Sequence, residues 1–190
     1  MSQFTELLST RLKGIMEASP AQLGRLEQHF ELLLRWNDKL NLTRITGLDE
    51  AVTRHYAESA FIAAHLPAQD GLRIADIGSG AGFPGLPIAV LRPELRVDLV
   101  ESRSRKAAFL REATADLSNC RVLAERAERI RGPYDWLVSR AVAPKEILSL
   151  RIGDSRAMLV GPEAAGKLPG ERIPLPWPES GYLILVPRGT

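Results

Sequence analysis

A doubly wound α/β fold, with a mostly parallel sheet, is predicted by three features of this 190-residue sequence. From Leu72 onward, short apolar runs alternate with helix-length segments, the pattern of strands joined by crossover helices. The first of these runs ends directly in Gly78-Ser79-Gly80-Ala81-Gly82, a strand-to-helix turn of the kind that doubly wound sheets place at the ligand. The last runs follow one another too closely for full helices between them, which predicts an antiparallel hairpin closing the sheet.

Two amphipathic helices open the chain. Leu7, Leu8, Leu12 and Ile15 recur at helical spacing after Phe4, and Leu23, Leu26, Phe30, Leu33 and Leu34 do so after Ser19-Pro20. Serine is a good N-cap and proline a good first helical residue, because its missing N–H would be unsatisfied there anyway. A third helix is predicted from Asp49 to about His65. Residues 1–66 thus read as a helical extension packed on a core of residues 67–190, in one compact domain. Strands are predicted at Leu72–Ile77, Val97–Val100, Arg121–Leu123 and Trp136–Ser139, then at Arg156–Val160, Lys167–Leu175 and Tyr182–Val186. No helix is expected between the last three. The Gly- and Pro-rich stretch from Gly161 to Pro178 predicts an irregular connection.

The hydrophobic fraction of 45% and the charged fraction of 25% are ordinary globular values, not those of a disordered chain or a membrane bundle. A formal net charge of +2 does not by itself announce a nucleic-acid partner. Basic residues nevertheless cluster at Arg103, Arg105, Lys106 and Arg111, and again at Arg121, Arg126, Arg129 and Arg131, where the plain alternative is a solvated helix face. The single cysteine, Cys120, excludes an intramolecular disulfide, and no Cys/His cluster has metal-ligand spacing. No segment reads as a signal peptide or a membrane span. The expectation is a cytoplasmic protein that binds no metal and no membrane.

The glycine turn fits two cofactors. Gly80-Ala81-Gly82-Phe83-Pro84-Gly85 satisfies the dinucleotide pattern G-x-G-x-x-G, so NAD and S-adenosylmethionine both remain open on the glycines alone. Asp76 stands just before them, where a carboxylate can face the amino group of a methionine moiety but would repel a pyrophosphate. Glu101, at the end of the second strand, can accept from both ribose hydroxyls of either cofactor. Pro84 and Pro87 are expected within the first helical turns, where they remove N–H donors that a phosphate would need. Alone, Asp76 would read as a cap for the turn and Glu101 as a cap for a helix starting at Ser102. Both in register with three glycines favour S-adenosylmethionine.

At this point a wider resemblance appears. Trp36-Asn37-Asp38-Lys39-Leu40-Asn41-Leu42-Thr43 resembles W-N-x-x-x-N-L-T, His55 with Ser59 resembles H-x-x-D-S, and Asp76 to Pro87 resembles D-x-G-x-G-x-G-x-P-G-x-P. Asp98-Leu99-Val100-Glu101-Ser102 with Lys106 and Phe109-Leu110, and Val138-Ser139-Arg140-Ala141, fit the same set. These are motifs of the glucose-inhibited division protein B family (GidB, or RsmG), guanine-N7 methyltransferases of 16S ribosomal RNA, and the resemblance spans Trp36 to Ala143. It implies a Rossmann-like class I S-adenosylmethionine-dependent methyltransferase, acting as a monomer on 16S rRNA or the small ribosomal subunit, in the 530-loop region. It further implies that Asp76, Gly78, Ser79, Gly80, Gly82, Phe83, Glu101 and Ser102 surround the cofactor. Ala127 and Glu128 are implied at its adenine, and Arg140 where cofactor and target meet, with a positioning role in catalysis. Asn41, His55, Arg103 and Lys106 are the candidate RNA contacts. Two departures stand out. Glu58 replaces the family's usual aspartate, and Val160 stands where a lysine is common, with Lys167 or Arg188 as candidate substitutes.

Transfer from a sulfonium to guanine N7 is an in-line displacement onto an unprotonated lone pair, so no general base is required. Positioning suffices, and it can supply about 7–11 kcal/mol. The chain has no Asn/Asp-Pro-Pro-Tyr element for amino-group methylation, and Cys120 lacks the Pro-Cys context of a cytosine C5 nucleophile. The rival readings are an NAD-dependent oxidoreductase and a non-catalytic RNA-binding module with a vestigial cofactor turn. Local alternatives are a salt-bridged structural Arg140, a hydrogen-bonded His55 at a helix interface, and a core Trp36.

Overall fold

The computed structural model describes residues 1–178 and 180–188. Helices α1 (Gln3–Leu12) and α2 (Pro20–Leu40) form where the apolar spacing predicts them. Ser19 Oγ accepts from the Gln22 N–H at 3.2 Å while the Gln22 side chain accepts from the Ser19 N–H at 2.9 Å, a full capping box. Helix α2 stops at Asn41, which adopts the left-handed conformation (φ 47°) that asparagine tolerates better than most residues.

The third helix starts one residue before the predicted Asp49 and is not a regular one. Helix α3 (Leu48–Ala51) runs through a π-helical turn (Val52–Ala57) into α4 (Glu58–His65) without a break. The wide turn buries Val52, His55, Tyr56 and Ala57 together, an irregularity of the kind that often marks a functional position.

The alternating part comprises β1 (Arg73–Ile77), α5 (Gly85–Leu91), β2 (Arg96–Val100), α6 (Ser104–Ala113), β3 (Cys120–Leu123), a 3-10 turn (Ala127–Arg129) and β4 (Tyr134–Arg140). It continues through α7 (Pro144–Ser149), β5 (Gly153–Val160), α8 (Pro162–Ala165), β6 (Glu171–Pro174) and β7 (Tyr182–Val186). The sheet order is β3-β2-β1-β4-β5-β7-β6. Strands β1 to β5 are parallel, with Ile77 beside Val100 and Asp76 beside Val138. Strand β7 runs antiparallel to β5, Met158 opposite Ile184, and β6 antiparallel to β7 at the edge.

Three details differ from the sequence pattern. The one-turn helix α8 occupies the stretch after β5 where no helix was predicted, because Gly161-Pro162 supplies an extended cap and a proline at the first helical position. The strand predicted over Lys167–Leu175 narrows to β6, after Gly170 turns the chain with φ 97°. Pro174 is tolerated in it because β6 is an edge strand that needs no donor on its outer side. Pro84, expected inside α5, sits at its cap instead, and only Pro87 lies within the first turn.

Both faces of the sheet are covered, as side-chain alternation requires. Ile74, Leu99, Val138 and Leu159 join the helical residues Leu8, Leu26, Leu33, Tyr56, Leu86 and Phe109 in one cluster. Ala75, Ile77, Leu137, Met158 and Ile184 pack on the other face with Ile130, Tyr134, Ile147 and Ala165. The helices of residues 1–66 therefore share a core with the sheet, and truncating a fully buried leucine such as Leu26 or Leu33 to alanine should cost about 2–5 kcal/mol. Among the described residues, no helix is long and apolar enough to cross a membrane, and no group of three or more His, Cys, Asp or Glu is placed to hold a metal ion.

Candidate active site

The chain leaves β1 between β2 and β4, where successive crossovers diverge and a crevice opens at the carboxyl ends of the strands. The glycine turn is tied down here from both sides. The N–H groups of Gly78 and Ser79 both donate to the Val100 carbonyl at 2.9 and 3.0 Å, and Gly82 and Phe83 donate back to Ser79. Gly78 has φ 73°, and a Cβ there would lie 2.7 Å from Val142 Cγ2, so the position needs glycine on two counts.

Glu101 is buried at the end of β2, and its carboxylate joins the two turns. Oε2 accepts from the Gly80 N–H at 3.1 Å and Oε1 from the Arg103 N–H at 2.8 Å. Each oxygen keeps acceptor capacity for a further donor. Helix α6 starts at Ser104 with Arg103 as its N-cap residue and no side-chain cap, so Glu101 holds the loop before the helix and does not cap it, unlike the expectation of a helix from Ser102.

A cavity of about 510 Å³ opens beside this carboxylate, and Gly78, Glu101, Ser102, Ala127 and Glu128 all line it. Five candidates from three separate stretches of sequence thus meet around one space. Ser79, Gly80 and Gly82 shape the turn behind it, the Ser79 hydroxyl donating to the Asp76 carbonyl at 3.0 Å. Asp76 lies beneath the turn, fully buried, where Oδ2 accepts from the Gly85 N–H at 3.0 Å and Oδ1 has no hydrogen-bond partner. Burial pushes this carboxyl up to about 7, against the lowering pull of the Gly85 N–H. Phe83 also turns inward, stacked on His55 with ring centroids 4.4 Å apart and edge-on to Tyr56 and His29.

Arg140, at the end of β4, lines a second cavity of about 530 Å³ together with Arg54, Glu58 and Val160. Ala141, Val142 and Ala143 line both cavities and form the wall between them. Ala141 holds φ 60°, unusual for a residue with a side chain. Arg140 Nη1 donates to the Arg54 carbonyl and to His55 Nδ1. Glu58 is buried and ion-paired with Arg54 at 2.9 Å. Burial raises its carboxyl above the usual range, while Arg140, Arg54 and a hydrogen bond from Ser180 pull it back down.

The four candidate RNA contacts do not form one surface. Asn41 is exposed at the end of α2. Arg103 is exposed at the rim of the first cavity, where a neighbouring hollow of about 560 Å³ also gathers Arg126 and Arg129. Lys106 is half-buried on α6. His55 is buried, stacked on Phe83 and bonded through both ring nitrogens, the geometry of the hydrogen-bonded interface residue that was the alternative to an RNA contact. Trp36 packs edge-on against Phe109 in the core. Arg188 is ion-paired with Asp154 near the start of β5, at the opposite end of that strand from Val160, and Lys167 is exposed and paired with Glu163.

One functional position escapes the motif reading. His29 on α2 is fully buried, with Nδ1 meeting the Tyr56 hydroxyl at 2.9 Å and Nε2 meeting the Ala81 carbonyl of the glycine turn at 3.1 Å. Burial lowers both His29 and His55 to about 3. The available signal was its place among Leu26, Phe30 and Leu33 on the apolar stripe of α2.

Comparison with known proteins places this architecture. The structure resembles 23S rRNA methyltransferase ErmE (TM-score 0.54, 17% identity, 70% of this chain and 68% of that one). It also resembles magnesium protoporphyrin IX methyltransferase from Synechocystis PCC 6803, solved with bound SAM (TM-score 0.55, 15% identity, 83% and 95%). At these identities the likeness concerns the Rossmann-like class I methyltransferase fold alone. In sequence, the chain is 43% identical over 143 residues to ribosomal RNA small subunit methyltransferase G of Nitrosomonas europaea, covering 71% of this chain and 65% of that protein. The protein of that name from Halorhodospira halophila is 36% identical over 170 residues, 87% and 78%. The one from Bacillus cytotoxicus is 36% identical over 157 residues, 78% of this chain and 64% of that protein. The chain thus spans just under two thirds of the length of the Bacillus and Nitrosomonas relatives. Residues 22–151, which contain the glycine turn, the shared wall of Ala141, Val142 and Ala143 and the two buried histidines, match the family described as rRNA small subunit methyltransferase G, and the chain belongs to that family, GidB.

Proposed function

We propose that this chain transfers a methyl group from S-adenosylmethionine to N7 of a guanine in 16S ribosomal RNA, in the 530-loop region, as a cytoplasmic monomer. The observation that carries this reading is the pair of cavities at the carboxyl end of the sheet, separated only by Ala141, Val142 and Ala143. One suits a cofactor and the other an acceptor, with a shared wall where a group could pass.

The residues of the first cavity fit the cofactor. Gly78 presents bare backbone to a space that a side chain would narrow, and the Glu101 carboxylate retains lone pairs for ribose hydroxyls. Ser102, Ala127 and Glu128 would hold the adenosine from the other side. Asp76, Ser79, Gly80, Gly82 and Phe83 would act from behind the turn, by fixing its shape. When bound, the cofactor supplies a sulfonium-activated methyl group.

Guanine N7 carries a free lone pair, and this agrees with the site, because His29 and His55 are neutral and engaged at both nitrogens. What the chain contributes is placement. Arg140 would position the acceptor at the shared wall, and Arg103, Lys106 and Asn41 would meet the RNA around the first cavity and the end of α2. The NAD alternative loses support at α5, where the Gly85 N–H is already given to Asp76 and a fixed carboxylate faces the helix start.

The test is incubation with labelled S-adenosylmethionine and under-methylated small ribosomal subunits, followed by borohydride and aniline cleavage to map N7-methylguanosine. Label in the RNA with cleavage at one guanine is the expected result. Cofactor binding without transfer would favour a non-catalytic RNA-binding module, and binding of NADH alone would favour an oxidoreductase.

A further inference from the structure

The second cavity holds a carboxylate that the methyl-transfer reading leaves without a task. Glu58 is only 3% exposed, yet it lines this space together with Ala141, Val142 and Ala143. Its Oε1 pairs with Arg54 at 2.9 Å and accepts from Ser180 Oγ at 3.3 Å. Both of these contacts fall on Oε1. A carboxylate offers about four acceptor sites, so those on Oε2 remain for a ligand. The remaining surface is of two kinds: the Arg140 guanidinium is a donor at the cavity wall, and Val142, Pro144, Leu159 and Leu175 are apolar. A planar ligand with donors on one edge and acceptors on the other matches this arrangement.

We propose that Glu58 is the residue that selects guanine in this cavity, its free oxygen accepting from the N1–H and the adjacent exocyclic amino group. Guanine alone among the standard RNA bases presents those two donors side by side on its Watson–Crick edge, and adenine presents an acceptor at N1 instead. The orientation follows from the chemistry of the ring. N7 lies on the edge of the purine next to the one that carries N1, with its lone pair at roughly a right angle to the N1–H, so a guanine held at Glu58 keeps N7 clear of that contact. O6, between those two edges, can only accept, which matches Arg140, a donor that cannot accept. One carboxylate thus chooses the base and leaves the acceptor atom unobstructed. The inference deepens the methyl-transfer reading and rests on it.

The experiment measures binding, so its outcome separates from that of the transfer assay. Guanosine, inosine and adenosine 5′-monophosphates are titrated into the protein saturated with S-adenosylhomocysteine, and affinities are read from ligand-observed NMR. Inosine lacks only the exocyclic amino group. The expected order is guanosine first, ahead of inosine and adenosine monophosphates by at least about tenfold, the loss expected for a hydrogen bond to a charged group. Glu58→Gln should narrow the guanosine-to-inosine ratio, and Glu58→Asp, which keeps the charge, should retain the order. Equal affinity of the native protein for adenosine and guanosine monophosphates would overturn the proposal, as would an unchanged ratio in Glu58→Gln. If Glu58→Gln fails to fold, as circular dichroism would show, the order measured on the native protein decides. Methyl transfer without guanosine selectivity would sink the role of Glu58 while leaving the activity intact.

Discussion

Arg140 Nη1 lies 2.7 Å from Nδ1 of His55, and this contact fixes the state of both residues. A guanidinium can only donate, so Nδ1 is the acceptor and the imidazole proton sits on Nε2, which then donates to Thr43 Oγ1 at 2.9 Å. The charged end of β4 is thereby oriented from the π-helical turn. Replacing Arg140 with alanine should leave S-adenosylmethionine affinity nearly unchanged, because the side chain lines the second cavity and not the first. Methyl transfer should fall at least about 10²-fold, the penalty for a misplaced reactant. Calorimetry and a single-turnover assay check the two halves, and unchanged turnover would refute the positioning role.

The buried histidines predict loss of stability in acid. Both sit near 3 in the folded protein against 6.5 when exposed. Between these values the unfolded chain binds protons that the folded chain excludes, so stability falls as pH falls, by up to about 1.4 kcal/mol per pH unit for each. Asp76 works the other way. Raised from 3.8 to about 7, it holds a proton that the unfolded carboxyl has lost, and its contribution falls as pH rises through that window. Two histidines outweigh one aspartate. Urea midpoints should therefore drop from about pH 6.5 to about pH 5, and Asp76→Asn, by removing the opposing slope, should steepen the drop. A flat profile would contradict the assignment.

Gly85→Ala tests the packing beneath the turn. A Cβ there would stand 2.7 Å from Asp76 Oδ2 and would collide with the Leu99 side chain. Overpacking of this kind costs about 1–3 kcal/mol, readable as a lowered urea midpoint with weakened cofactor binding. Tolerance without loss of either would mean that α5 shifts freely.

Ala141 is exposed, and a surface substitution normally changes stability by no more than about 0.5 kcal/mol. Its left-handed backbone makes this position an exception. Ala141→Val should cost more than about 1 kcal/mol, because a β-branched side chain is strongly disfavoured there. Denaturant unfolding of the two proteins gives the difference.

Val160→Lys places a lysine at the lip of the second cavity, where the family resemblance leads one to expect it. One more phosphate contact should raise affinity for small-subunit RNA and steepen the dependence of log affinity on log salt by about one. Filter binding across a salt series measures it, and an unchanged slope would place the lysine's family role elsewhere.

Local periodicity carried most of the fold. The Ser19 capping box, the parallel strands and the glycine turn all depend on neighbours in sequence, and they stand within a few residues of where the pattern puts them. What was not legible depends on contacts between distant segments. The π-helical turn leaves no composition mark, because its extra residue per turn is stabilised by packing of His55 and Tyr56 and not by propensity. Asp76 looked like a ligand group at a strand end, but the direction of its carboxylate is set by the Gly85 N–H nine residues later. His55 sits in a motif that suggested RNA, and only its stacking on Phe83 shows it facing inward. His29 was hidden because a single polar residue on an apolar stripe has no meaning until its partners, Tyr56 and Ala81, are known.

The two histidine bridges have an engineering consequence. The His29 bridge reaches the glycine turn from α2, and the His55 bridge reaches Arg140 from the π-helical turn. A minimal catalytic fragment cut at about residue 67 would keep every cavity-lining backbone of the first site and lose the struts that hold it. Such a fragment would be slack at its mouth even if its strands paired. By the same geometry, grafting the glycine turn and the β4 loop onto another doubly wound sheet would transplant the shape without the stiffness, unless a helix bearing a buried imidazole were carried with them.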